Sequence, residues 1–159
     1  MYKFVLGLCL ILTVFTFSTA AETETAGTDA VYQQLEKKYI LHQDGRISFE
    51  YHHKVRLLTY LAVNRYFGED FIIYNPRFQT LDILKSITTM ADGKSVESPD
   101  NAYNTVLPRA VSQAPAYAHL REMVVTHTGL ERNAVIDFSY RIESSAEWMP
   151  WLMGEEVFS

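Results

Sequence analysis

The sequence predicts an all-β domain in which two antiparallel sheets pack face to face. Three stretches alternate between apolar and polar residues, each contains a turn signal, and only one short stretch has the apolar spacing of a helix. Strands joined by short turns pair as antiparallel hairpins, and the apolar face of such a sheet needs a second layer to cover it. The expected fold is therefore a two-layer β-sandwich built from successive hairpins.

The first twenty residues have the organisation of a secretory signal peptide. Lys3 supplies a positive charge, an apolar run follows over residues 4–17, and the run ends in the small residues Ser18-Thr19-Ala20. A transmembrane helix needs about 20 apolar residues, more than this run contains. We expect cleavage after Ala20 and export to the periplasm or the medium. Residues 21–30 are small, polar and acidic, which is typical of a flexible leader, so the folded domain is expected over residues 31–159.

The only cysteine, Cys9, lies inside the signal peptide. Leu8 before it is too large for the peptidase that prepares lipoproteins, so no lipid anchor is expected and the mature chain should have no membrane attachment. Without a thiol the mature chain can form no disulfide and has no cysteine nucleophile. Signal cleavage leaves 13 Lys and Arg against 19 Asp and Glu, a net charge of −6. The basic residues are scattered among acids, which excludes a nucleic-acid partner.

A first hairpin is predicted over residues 35–58. Alternation from Ile47 to Leu57 indicates a half-buried strand, and Asp44-Gly45 supplies the positive φ of a tight turn before it. Apolar residues then recur at helical spacing over residues 58–67, which predicts one short helix that caps the sheet, with Gly68 as its left-handed stop.

The second half of the chain predicts four further features. Residues 71–74 form a short buried strand or extended connection, ended by Asn75-Pro76. In the second hairpin, over residues 80–97, Leu81, Ile83 and Ile87 face one side, with Asp82, Ser86 and Thr88 on the other. Prolines break residues 98–116 into a long loop. A third hairpin is expected over residues 120–143, with Gly129 between its strands.

Residues 68–144 also resemble a known family, the N-terminal β-sandwich domain of unknown function that precedes transglutaminase-like cores in exported proteins of Gram-negative bacteria. The resemblance extends over roughly residues 35–159. It rests on four short motifs taken together: Tyr74-Asn75-Pro76, Asp92-Gly93-Lys94, Asn101-Ala102 and Leu120-Arg121-Glu122-Met123.

The resemblance implies a domain without catalytic residues, because the Cys, His and Asp of that family's papain-like core lie downstream of it. It implies a transglutaminase-like core as the partner in cis. Residues 148–158, WMPWLMGEEVF, look like the approach to further strands. We therefore expect the domain to be incomplete at its C-terminus, as a fragment or a gene remnant.

Neither a metal site nor a cofactor site is expected from the residues. His52 and His53 are adjacent on a predicted strand and so point to opposite faces, and His119 and His127 would have to meet across a hairpin. No His-Glu-x-x-His or cysteine-containing ligand set is present in the sequence. Hydrogen-bonded strand and loop histidines are the simpler interpretation.

Catalysis is not expected either. Glu122 and Asp137 could resemble a hydrolytic carboxylate pair, but ion pairing with Arg121 and Arg141 is the commoner use of such residues on strands. Gly-x-Ser-x-Gly is absent from the sequence. The serines in predicted strands are interpreted as solvent-facing hydroxyls; they are Ser48, Ser86 and Ser139.

Aromatic side chains are the candidate contact residues. The possible interface or ligand contacts are Tyr103, Tyr117, Trp148 and Trp151. Core packing or a domain interface is a more common use of such rings than a sugar platform. Two hypotheses remain: an accessory domain that packs on a transglutaminase-like core, and an independent module that binds extracellular glycan or peptide.

We predict that the mature protein begins at Ala21, because Ser18 and Ala20 fit the small-residue cleavage rule. N-terminal sequencing of protein recovered from the periplasm or medium tests this. A chain that still begins at Met1, or that carries an acylated Cys9, would contradict it.

Overall fold

The computed structural model describes residues 27–147, which form eight strands in two antiparallel sheets. The predicted all-β, two-layer fold is confirmed. Over these residues no helix has the length and apolar character needed to cross a membrane. The signal peptide, residues 21–26 of the leader, Trp148 and Trp151 lie outside the described part of the chain. The strands are β1 (Ala30–Leu41), β2 (Ile47–Leu57), β3 (Glu69–Tyr74), β4 (Gln79–Thr89), β5 (Ser95–Glu97), β6 (Tyr103–Val106), β7 (Arg121–Thr126) and β8 (Val135–Ser144).

The larger sheet has the strand order β1-β2-β8-β4-β5. Its two flanks are the first two predicted hairpins, β1–β2 and β4–β5, which the structure confirms. Gly45 and Gly93 both have φ near +88°, the conformation that Asp-Gly turns of this kind require. The central strand β8 joins the flanks by pairing with β2 on one side and β4 on the other.

The smaller sheet has the order β3-β7-β6 and covers part of the larger one. The predicted third hairpin is therefore wrong: β7 and β8 lie in different sheets. Residues between them leave the small sheet where His127 N donates to Gly68 O, and they join the large sheet where Asn133 N donates to Leu57 O. Alternation determines which side chains share a face, but it does not determine which strand is the neighbour.

A bulge in β4 reverses the predicted faces of its second half. The register with β8 shifts between Ile83 and Lys85, so Leu84 is the extra residue. Downstream of it Ser86 and Thr88 point into the core, where they are 2% and 1% exposed. The expectation that Ser86 faces solvent is therefore wrong. Ser48 is also buried, at 3% exposure, and it donates to Glu143 Oε2 over 2.7 Å.

The short helix is confirmed as a π-helical turn over Ala62–Tyr66. Ala62 is fully buried in the core, which is how this turn closes one end of the sandwich. Gly68 does not supply a left-handed stop, because its φ is not positive. The turn instead ends at Phe67, whose N donates to Ala62 O.

Two segments differ in detail from expectation. In β3, Ile72 is buried, but Phe71 and Ile73 are 59% and 54% exposed because they point to the opposite face of the strand, away from the core. Residues 98–116 contain no long element, as expected, yet they include the strand β6. The other regular elements here are three 3-10 turns, the last of which ends one residue beyond the segment. They are Asp100–Ala102, Arg109–Gln113 and Pro115–Tyr117.

The core lies between the two sheets where the small sheet covers β2, β8 and β4. Its fully buried side chains include Phe138, Leu57 and Ile136 from the large sheet and Val125 from the small one. Alternating inward residues of both layers make this core, as expected of a sandwich.

We predict that Phe138→Ala lowers the free energy of unfolding by about 3–5 kcal/mol, because it removes a large ring from a fully buried site. Tyr60→Ala is the matched control, since Tyr60 is 70% exposed, and we expect a change within about 0.5 kcal/mol. Urea unfolding followed by circular dichroism measures both. Equal losses for the two variants would contradict this placement of the core.

Candidate functional site

A group of polar side chains crosses the space between the two sheets. We call it the inter-sheet cluster; it consists of Asp70 on β3, His127 after β7, Ser86 on β4, Ser98 after β5 and His53 on β2. Strand alternation points Asp70 inward beside the core residue Ile72, and the β4 bulge does the same for Ser86. His127, Ser86, Ser98 and His53 are each at most 7% exposed.

His127 is the centre of the cluster. Its Nε2 lies 2.7 Å from Asp70 Oδ2, and its Nδ1 lies 3.3 Å from Ser86 Oγ. Ser86 Oγ is in turn 2.8 Å from Ser98 Oγ. The simplest assignment has Nε2–H donating to the carboxylate while Nδ1 accepts from the serine hydroxyl. Asp70, His127 and Ser86 thus connect the small sheet to the large sheet by hydrogen bonds.

His53 is held against the same carboxylate without a hydrogen bond to it. Its Nδ1 lies 3.1 Å from Tyr51 Oη, whereas its Nε2 has no partner and is 3.7 Å from Asp70 Oδ2. That distance is too long for a hydrogen bond. Burial lowers the pKa of His53, and the opposing attraction of Asp70 does not overcome it. The imidazole is therefore neutral in the folded protein at pH 7.

The composition of this cluster is that of a Ser-His-Asp triad, but its position prevents such chemistry. Ser86 and His127 are 2% and 5% exposed, so no substrate carbonyl can approach the hydroxyl. The roles of the ring nitrogens are also exchanged relative to the triad, since the carboxylate binds Nε2 and the serine Nδ1. The arrangement is suited to holding two sheets together rather than to acyl transfer.

The other candidate charges lie on the outer face of the large sheet and pair across strands. Asp137 accepts from Lys85 Nζ at 2.7 Å and from His52 Nε2 at 2.9 Å. Burial alone would raise the pKa of Asp137, but these two hydrogen bonds lower it overall. Glu50 accepts both guanidinium bonds from Arg141, which lower the pKa of Glu50.

The carboxylates considered from sequence do not come together. Glu122 is on β7 of the small sheet and Asp137 on β8 of the large one. Arg121 donates to the carbonyls of Ala118 and Leu120. His52 and His53 do point to opposite faces, as predicted. Within residues 27–147, no group of three or more His, Cys, Asp and Glu side chains is arranged to hold a metal ion.

The two described aromatic candidates have different environments. Tyr103 is on β6, opposite the buried Val125, and packs half-buried against the core. Tyr117 ends the last 3-10 turn and is 57% exposed, so its ring is available for contacts.

An apolar surface that the sequence did not identify lies on the outer face of the small sheet. We call it the outer apolar patch; its members are Phe71, Ile73 and Val106, which are 59%, 54% and 41% exposed. Register places Val124 of β7 between Phe71 of β3 and Asn104 of β6, and it aligns Val106 with Glu122 and Ile73. These residues come together only because β7 lies between β3 and β6. The β7–β8 hairpin expected from the sequence does not predict that arrangement, so it gave no sign of this surface.

Comparisons with known proteins identify relatives of this domain. A family model, DUF3857, described as a domain of unknown function with a solved structure, matches residues 43–156. A crystal structure described as a "putative protease" from Parabacteroides distasonis is 46% identical with a TM-score of 0.71; the match covers 74% of this chain and 23% of that one. The chain thus spans less than a quarter of that protein. No curated protein matches the chain.

We predict that stability falls as the pH drops below ~6.5, the ordinary pKa of histidine. His53 has a lowered pKa in the folded state, so over this range the unfolded chain binds a proton that the folded chain does not. Stability is therefore complete above ~6.5 and is lost as the pH falls towards the folded pKa.

Urea unfolding between pH 7.5 and pH 5 tests the prediction with two variants. His53→Phe keeps an aromatic ring against Phe138 and Tyr51 but cannot bind the proton, so its stability should depend less on pH. His119→Gln changes an exposed histidine and should keep the dependence of the natural chain. Identical pH profiles for His53→Phe and the natural chain would contradict the assignment.

Proposed function

Because the chain belongs to the DUF3857 family, we propose that it is an exported, non-catalytic accessory domain of a larger protease-like protein. It packs on, or positions, a transglutaminase-like core that follows it in the longer protein. The length of the Parabacteroides distasonis relative supports this proposal, since most of that chain lies outside the matched part.

The outer apolar patch carries the proposal. The solvent face of an antiparallel sheet is normally polar, and the outer face of the large sheet follows that rule with its ion pairs at Asp137 and Glu50. The small sheet instead presents Phe71, Ile73 and Val106 on its outer face. Phe71 and Ile73 are neighbours on this face, and Val106 lies across Glu122 from Ile73. Clusters of exposed apolar side chains of this kind mark interaction surfaces. The small sheet is therefore the side on which the core docks.

The burial of the serine that lies beside a histidine supports the non-catalytic role. Covalent acyl transfer needs a nucleophile and a base that a substrate can reach. Ser86 is next to a histidine but is buried, and the mature sequence expected after signal cleavage has no cysteine.

The test is a binding titration with the part of the Parabacteroides distasonis protein that lies outside the match. The mature chain is titrated into that core by calorimetry, after circular dichroism has shown that each partner is folded. We expect saturable binding that the double substitution Phe71→Ser with Ile73→Ser weakens at least tenfold, or about 1.4 kcal/mol. The matched control is Tyr60→Ser, which changes an aromatic residue that is 70% exposed and lies just before the helical turn.

Two further assays decide between this role and its alternatives. The mature chain alone should show no peptidase or amine-incorporation activity; turnover that persists through purification would overturn the non-catalytic role. Binding on a glycan or peptide array, without binding to the core, would instead support the independent module. Unchanged core binding by the patch variant would refute the docking face.

A further inference from the structure

The strand β3 is an open edge of the small sheet: among residues 27–147 it pairs with β7 and with no other strand. His127 N donates to Gly68 O, which makes these two residues a hydrogen-bonded pair at the start of the β3–β7 ladder. Hydrogen-bonded and non-hydrogen-bonded pairs alternate along an antiparallel ladder. The backbone N–H and C=O groups of Phe71 and Ile73 therefore point away from β7, to the open side of the sheet.

The same two residues are members of the outer apolar patch. Their side chains are 59% and 54% exposed and stand on the face of β3 opposite to the core. An added strand would therefore pair with the open backbone groups and cover apolar side chains at the same time. A helix or a loop on this face would cover the side chains but leave these N–H and C=O groups without a protein partner. The edge thus favours an extended segment as its occupant.

The other sheet edges have features that discourage strand addition. β1 has a bulge between Tyr32 and Gln34, followed by three consecutive charged residues at 36–38. β5 is three residues long, and β6 is four residues long with Pro108 two residues after it. β3 has six residues, and after the first two it continues as Phe-Ile-Ile-Tyr without a charge, a proline or a bulge. Among the edges that the structure describes, β3 is the one best suited to a further strand.

We propose that the core docks by adding an extended strand to β3, in the antiparallel direction of the rest of the small sheet. The inference rests on the proposed function and specifies its contact, which includes backbone hydrogen bonds from Phe71 and Ile73. The partner side chains opposite these two residues are apolar, and the one opposite Glu69 is basic, because Glu69 is exposed on the same face. In the antiparallel direction the recognised segment therefore reads apolar-x-apolar-x-basic.

Hydrogen exchange measured by NMR tests strand addition, because it reports on each backbone amide. The probe is the peptide Thr-Val-Thr-Val-Thr-Lys-Thr, and the control peptide Thr-Ser-Thr-Ser-Thr-Lys-Thr has the same length and charge. We expect saturation with the first peptide, or with the Parabacteroides distasonis core, to slow exchange at Phe71 and Ile73 by at least about tenfold. The amides of Ile72 and Tyr74 face β7 and serve as the internal reference. The control peptide should leave exchange unchanged.

A proline substitution separates backbone pairing from apolar contact. Ile73→Pro removes an N–H that points to the open side, whereas the N–H groups that face β7 belong to Ile72 and Tyr74 and remain. We expect Ile73→Pro to weaken core binding by at least about tenfold. The matched control, Ile73→Val, should leave binding within about twofold. Circular dichroism checks the fold of both variants, and the exchange measurement on the natural chain decides the question if the proline variant does not fold.

The outcomes distinguish this inference from the proposed function. Core binding that leaves exchange at Phe71 and Ile73 unchanged would overturn strand addition and keep the docking role. Protection by the peptide without any binding of the core would keep β3 as a strand-binding edge but refute the core as its occupant. Protection that develops in the chain alone at high concentration would also overturn the proposal, because it would mean that the β3 edges of two copies pair.

Discussion

The hydrogen-bonded connection from Asp70 through His127 to Ser86 is the interaction on which the rest of the sandwich depends. Apolar packing between two sheets is non-directional, so by itself it allows one layer to slide over the other. The hydrogen bonds from His127 to Asp70 and Ser86 remove that freedom, because they form only at one position of β3 and β7 over β4. A shift by one residue would leave the buried imidazole of His127 without these partners. The position of the outer apolar patch relative to the large sheet follows from the same constraint.

Much of the fold could be predicted from local signals. The alternation of β2, the two Asp-Gly turns and the short helical turn each depend on residues close in sequence, and the structure has all of them. The bulge at Leu84 has no such signal, since neither glycine nor proline marks it, and it inverts every side chain after it. Alternation alone therefore predicts a solvent-facing Ser86, although the residue is buried between the two sheets.

Long-range pairing accounts for the other differences. The adjacency of β7 and β8 along the chain favoured a hairpin, whereas the structure places β7 between β3 and β6. The candidate site depends on that arrangement: Asp70 and His127 are 57 residues apart in sequence, and Ser86 is 41 from His127. No spacing rule could have joined them. Of the two aromatic candidates that the structure describes, Tyr103 packs against the core because it lies on β6. Tyr117 lies in a 3-10 turn outside the sheets, and its ring is exposed.

The central position of β8 has a consequence for the order in which the molecule acquires its structure. β8 is the last strand of the described chain, yet it is the one that joins the β1–β2 and β4–β5 hairpins. While the chain is being synthesised, the two hairpins can each form locally, but they have no shared sheet until residues 135–144 have emerged. Folding of the large sheet is therefore a late and concerted event, since the insertion of β8 joins the two strands on each of its sides into one five-stranded sheet. Until then the two hairpins cannot bury their apolar faces in a shared core.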